Sequence, residues 1–271
     1  MHFRPFPSLF LLASLAGPAS VGSGQSITVN LDAVNPSPYA TVSGHSGDSY
    51  FSNGLVGGLE LTVTAQSGLP ANYPTTFEAF CAELAQDIQL PSTGNAYSVV
   101  APADASSGVG TGLAANIPLS GIGTDRASNL EILYAHVFGA TYDPSVALST
   151  ADETEAFQLA VWKLSQDDGF DLTTPGSAST GFWVTSVGGT MATSTLTEAQ
   201  ALLTWVEGNP NGPKMNLVAL HSGTLQDLLV PTASSFTAIP EAADYAQVLG
   251  VAVLGVALLR KRRRGGPVAG F

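Results

Sequence analysis

The sequence predicts an α+β domain with β-strands at both ends and about three helices between them. Three observations lead there. Apolar and polar residues alternate near the front of the chain, central segments carry apolar residues at helical spacing, and two short apolar runs close the domain around a Ser-Gly turn.

The elements follow in order. Ser26 to Val34 alternates as a half-buried strand does, and Leu59 to Ala65 reads as a second strand; the Ser/Gly/Asn-rich stretch between them carries no strand signal. Thr76 to Leu84 fits either a strand with Phe77 and Cys81 on one face or the start of a short helix. Pro91 to Gly123 is rich in turn formers and reads as loops with short strands. Asp125 to Phe138 places Leu130, Leu133, Tyr134, Val137 and Phe138 at helical spacing, with Gly139 as a stop.

Thr150 to Gln166 carries the strongest helical signal. Thr150 and Glu153 have the spacing of a capping box, and Asp152, Glu153 and Glu155 suit the positive end of the helix dipole. Phe157, Ala160, Val161 and Leu164 form one apolar stripe. Thr197 to Glu207 is a third helix, stopped by Gly208 and Pro210. Met215 to Leu220 and Leu225 to Val230 make the closing strand pair, and residues 231–238 form a linker.

Both ends read as targeting segments. Residues 1–23 have a basic start, an apolar run from Leu9 to Ala16 and small residues after it, the layout of a secretory signal peptide. The domain proper is then 25–230. Of nine basic residues, only Arg126, Lys163 and Lys214 fall within it, against nineteen acidic ones. Such a surface repels nucleic acid and anionic membranes, so neither is expected as a partner of the domain.

At the back, Ile239-Pro240-Glu241 precedes an apolar run from Val248 to Leu259 and then Arg260, Lys261, Arg262, Arg263 and Arg264. The basic cluster acts as a membrane stop. This layout over residues 239–264 resembles the PEP-CTERM sorting signal of Gram-negative bacteria, with Ala242 where that signal usually has its second proline. The resemblance implies processing by an exosortase-like enzyme and a transient or stable membrane anchor through the C-terminal helix. An ordinary C-terminal anchor is the alternative. Either way the protein is expected to be exported to the cell surface or beyond.

Cys81 is the single cysteine, so no internal disulfide forms. It lies in Phe80-Cys81-Ala82, and far downstream the strongest helix contains Phe157-Gln158-Leu159-Ala160-Val161-Trp162. These two motifs, in this order, resemble the bacterial thioester domain of surface adhesins. The resemblance implies an internal thioester between the Cys81 sulfur and the Gln158 side-chain carbonyl. It further implies that Phe80 and Trp162 shield the bond from water, and that an amine- or hydroxyl-bearing surface target is captured covalently. The chemistry suits the residue types, because a thiolate attacks the carboxamide, ammonia leaves, and the product is a stored electrophile that acts once, without turnover. No cofactor, metal or enzymatic activity is expected.

Other readings stand beside this one. Cys81 also fits an inert buried residue, Gln158 a solvated helix position and Trp162 a core anchor, in a non-covalent structural or matrix protein. A thiol hydrolase would pair Cys81 with His136 or His221. Asp167, Asp168 and Asp171 lack the full spacing of a calcium loop and read as a solvated turn.

Overall fold

The computed structural model describes residues 25–46, 49–67, 74–84, 88–105, 121–143, 146–173, 182–189 and 191–232. The signal segment and the sorting tail lie outside these residues. The chain order is β1 (Ser26–Ser46), β2 (Ser49–Ser67), β3 (Thr76–Cys81), β4 (Ser92–Val100), a 3-10 turn (Pro102–Asp104), α1 (Thr124–Phe138), α2 (Ala151–Gln166), β5 (Phe182–Gly188), α3 (Thr193–Gly208), β6 (Leu217–His221) and β7 (Leu228–Pro231). This is a mixed α+β fold with three helices among the described residues.

The sheet closes on itself. Its order is β2-β3-β7-β6-β4-β1, and β1 pairs back onto β2, which makes a six-stranded barrel. All its pairings are antiparallel. Closure removes the exposed edges that would otherwise invite pairing with another chain. The long β1 serves two neighbours on one side: Ser26–Leu31 pairs with β4, and Thr41–Ser46 pairs with β5. Four register shifts against β2 bend it between those tasks.

The Ser/Gly/Asn-rich stretch between residues 35 and 58 forms the outer part of the β1–β2 hairpin. Its strands are held by main-chain pairing along the hairpin, with Val42 and Val56 reaching the core. Residues 76–81 resolve as a strand.

α2 has the predicted capping box: the Thr150 side chain accepts from Glu153 N–H, and the Glu153 carboxylate accepts from the main-chain N–H of Thr150 and Ser149. The single apolar stripe is too modest a description, since every residue from Thr154 to Gln166 is buried. α2 is packed by β1, β2 and β3 of the barrel and by α1, α3 and β5. Burial calls for partners for the polar side chains that this helix carries inward; Gln158, Lys163 and Ser165 have them, while Glu155 Oε2 and Trp162 Nε1 have none among the described residues.

Candidate functional site

Cys81 closes β3 opposite Leu228 of β7. Ala82 N–H donates to Asp227 C=O at 2.8 Å, which makes Ala82 a hydrogen-bonded position in the antiparallel ladder. By the alternation of such ladders, the N–H and C=O of Cys81 point away from β7, toward β2. The β2–β3 pairing ends at Leu59–Ala79, two residues before Cys81. At Gly57, β2 takes φ +152°, and a side chain there would sit 2.5 Å from Asn35 O. The main-chain groups of Cys81 therefore need another partner.

Gln158 supplies it. Its Oε1 accepts from Cys81 N–H at 2.9 Å, and its Nε2 donates to Cys81 C=O at 2.9 Å. The carboxamide stands where a neighbouring strand would otherwise be. Gln158 is fully buried at 0% exposure, and Cys81 is buried. Motifs 77 residues apart in sequence thus meet at one main-chain position. The clasp fixes the carboxamide at the residue that carries the thiol.

The surroundings are apolar on the helix side. Phe80 sits edge-on to Phe157 at 4.7 Å and to Tyr134 at 6.3 Å, and Tyr134 is edge-on to Phe157 at 4.9 Å. Trp162, one turn beyond Gln158, is buried and lies 6.2 Å from the Phe182 ring. Ser165 hydroxyl then donates to Ala82 C=O, a second tie from α2 to this end of β3. Burial pushes the Cys81 thiol well above the ordinary range, and the nearby Glu83 carboxyl pushes it further. The thiol is held protonated.

Sequence reasoning missed the polar wall of the site. Glu83, two residues past Cys81, is fully buried. One carboxyl oxygen accepts from Asp227 N–H at 3.0 Å; the other has no hydrogen-bond partner among the described residues. Burial first, then the Asp227 charge, raise the Glu83 pKa to about 8, against lowering by the Asp227 N–H and by His221. Asp227 is also fully buried; it accepts from Ser222 N–H at 2.9 Å and meets His221 Nδ1 at 2.7 Å. The only trace in the sequence is an acidic residue abutting each apolar strand, Glu83 after β3 and Asp227 before β7.

The remaining candidates fall elsewhere. His136 stacks on Trp205 at 3.7 Å on the α1–α3 face. Asp168 pairs with Arg126 at 2.7 Å, Asp167 binds Lys163 and the N–H of Phe182, and Asp171 accepts from Thr173 N–H. Among the described residues no group of His, Cys, Asp and Glu has the makings of a metal site. Likewise no described helix is long and apolar enough to cross a membrane.

Comparison of the chain with family models, curated proteins and solved structures finds no match.

Proposed function

We infer that this is an exported surface or matrix protein whose barrel domain stores an internal Cys81–Gln158 thioester and uses it to attach covalently to an amine-bearing target. The reading rests on one observation, the clasp of the Gln158 carboxamide by both main-chain groups of Cys81 in a buried setting. The reaction balances without an external reagent. The C–S bond forms, the Gln158 C–N bond breaks, and the thiol proton leaves with the nitrogen as ammonia. Negative charge develops on Oε1, which already accepts from Cys81 N–H, so that donor acts as a preorganised oxyanion contact. A target amine then attacks the carbonyl, takes the Gln158 acyl group and frees the thiol.

Two further observations support the reading. Lys163 is fully buried, bound to Asp167 and at 2.8 Å to Phe182 C=O, so it does not compete for the stored electrophile. The aromatic cluster of Phe80, Tyr134 and Phe157 keeps water from that side. Shielding by Trp162, strands framing both ends of the domain, export by the signal segment and sorting through Pro240, Glu241 and the basic stop belong to the same proposal.

The second reading is a non-covalent matrix protein with an inert Cys81. It is favoured by the raised thiol pKa and by the way the clasp satisfies both main-chain groups without any reaction. Intact mass of the full-length protein separates the two. Covalent capture requires a mass one ammonia below that of the sequence and uptake of methylamine at Gln158, both abolished in Cys81→Ala. A full mass in the wild type rejects it.

A further inference from the structure

The barrel closes along a short seam. Among the described residues β3 meets β7 only at Phe80–Leu229 and Cys81–Leu228, the briefest pairing in the barrel. Just beyond Cys81 the seam is latched to the turn that joins β6 to β7. Ala82 N–H donates to Asp227 C=O at 2.8 Å, the Gln226 carboxamide donates to Glu83 C=O, and Asp227 N–H donates to one Glu83 carboxyl oxygen at 3.0 Å. The Asp227 carboxylate ties the two ends of that turn together, accepting from Ser222 N–H at 2.9 Å and meeting His221 Nδ1 at 2.7 Å. The turn therefore sits on the end of β3 as one piece.

This latch suits an uncharged Glu83 and not an ionised one. The carboxyl is fully buried, and its second oxygen has no hydrogen-bond partner among the described residues. The lysines and the arginine of the domain are engaged elsewhere: Arg126 with Asp168, Lys163 with Asp167 and Lys214 with Glu131. The titratable groups around Glu83 are Asp227 beside β7, His221 of β6, Tyr97 of β4 and Cys81 of β3 itself. From α2 this end of β3 receives the uncharged Ser165 hydroxyl, bound to Ala82 C=O. An ionised Glu83 would thus be a buried charge beside the like charge of Asp227, and lifting the turn off β3 gives it water.

We propose that the β3–β7 seam is a gate onto Cys81, latched by the Glu83 carboxyl and released when that carboxyl ionises. The gate stands apart from the thioester reading, since it admits a reagent to a free thiol and to a stored thioester alike. Burial and the Asp227 charge raise the closed-state Glu83 pKa to about 8, against 4.5 for the solvated group. The closed gate is then fully favoured below about pH 4.5, loosens by up to about tenfold per pH unit above that, and levels off above about pH 8.

Native-state hydrogen exchange of the full-length wild type, Glu83→Gln and Gln226→Leu tests this. Protection of the Ala82 and Asp227 amides, referred to intrinsic exchange at each pH, is compared with that of Leu130 and Leu133 in α1. In wild type, seam protection should fall by at least about tenfold from pH 5.5 to 7.5, and low urea should leave it unchanged, as local opening does. Glu83→Gln keeps an acceptor for Asp227 N–H but carries no charge, so its seam protection should not vary with pH. Gln226→Leu removes one latch bond and keeps the carboxyl, so it should lower seam protection at every pH with the slope retained. Access to Cys81 is read in parallel by 4,4′-dithiodipyridine, relative to urea-unfolded protein at the same pH. Where ammonia has been lost, methylamine addition relative to a peptide thioester takes its place. Either rate should rise by at least about tenfold over the same pH range in wild type and stay level in Glu83→Gln. A pH-dependent fall in protection that persists in Glu83→Gln overturns the gate. So does seam exchange as sensitive to urea as that of α1, because the barrel then opens only by global unfolding. Should Glu83→Gln not fold, that urea response and Gln226→Leu decide, and wild-type seam protection in Gln226→Leu overturns the gate as well.

Discussion

Replacing Gln158 by Ala in a Cys81→Ala background isolates the clasp from any covalent bond. The background keeps both main-chain groups of residue 81, and both hydrogen bonds to Gln158 run to main chain. Cys81→Ala alone therefore removes only a small buried side chain, at a cost of about 1 kcal/mol. Adding Gln158→Ala leaves one N–H and one C=O buried without a partner. Each costs about 1–3 kcal/mol, so the pair costs about 2–6 kcal/mol before any cavity is counted. Against a typical total of about 5–15 kcal/mol, that is a large share. Urea denaturation followed by fluorescence reads the difference between the single and double variants as a shift in midpoint at constant slope. A difference below about 1 kcal/mol would show that water or a shifted strand serves Cys81 equally well, and the argument that Gln158 stands in for a missing strand would fail.

Further outcomes follow from the same contacts. Glu83 has its pKa raised to about 8 from 4.5, so the native state holds a proton that the unfolded chain releases between those values. Stability should be full below about pH 4.5 and decline as pH rises to about 8; Glu155, raised to about 7, adds in the same direction. Glu83→Gln should flatten part of that slope, as read by denaturation midpoints across pH. Lys163→Met should destabilise by about 3–5 kcal/mol, because it leaves the Asp167 carboxylate without its cation. Amine-reactive labels should modify Lys214, which is half exposed, and leave Lys163 untouched in the folded protein. Peptide mapping checks this. Thr150→Ala should cost about 1 kcal/mol through loss of the α2 cap.

What could be read from the sequence was local. The Thr150–Glu153 cap and the spacing of Phe157, Ala160, Val161 and Leu164 announced α2, and the alternation of Ser26 to Val34 announced the start of β1. Closure of the barrel was not legible, because the pairing of β3 with β7 joins residues nearly 150 positions apart, Cys81 with Leu228. β5 was missed: Phe182–Gly188 is short, only partly buried, and becomes a strand by pairing with the outer half of β1. α3 begins at Thr193 rather than Thr197, an end without a side-chain cap to mark it.

At the site, the Cys and Gln motifs were visible because each has a local pattern of aromatic and small residues. The depth of Gln158 was not, since a glutamine beside an apolar stripe is usually solvated. Its burial follows from the packing of α2 against the end of β3, where the carboxamide meets the main chain of Cys81. Glu83 and Asp227 carry no pattern of their own. They become a pair only when β3 and β7 are laid side by side.

The most direct measurement is tandem mass spectrometry of the protein digested after rapid acid quenching, which preserves thioesters. A peptide spanning Cys81 should be found joined to the peptide spanning Gln158, with ammonia missing and the link cleaved by hydroxylamine. Two separate peptides, one with an unmodified thiol and one with an intact carboxamide, would contradict covalent capture.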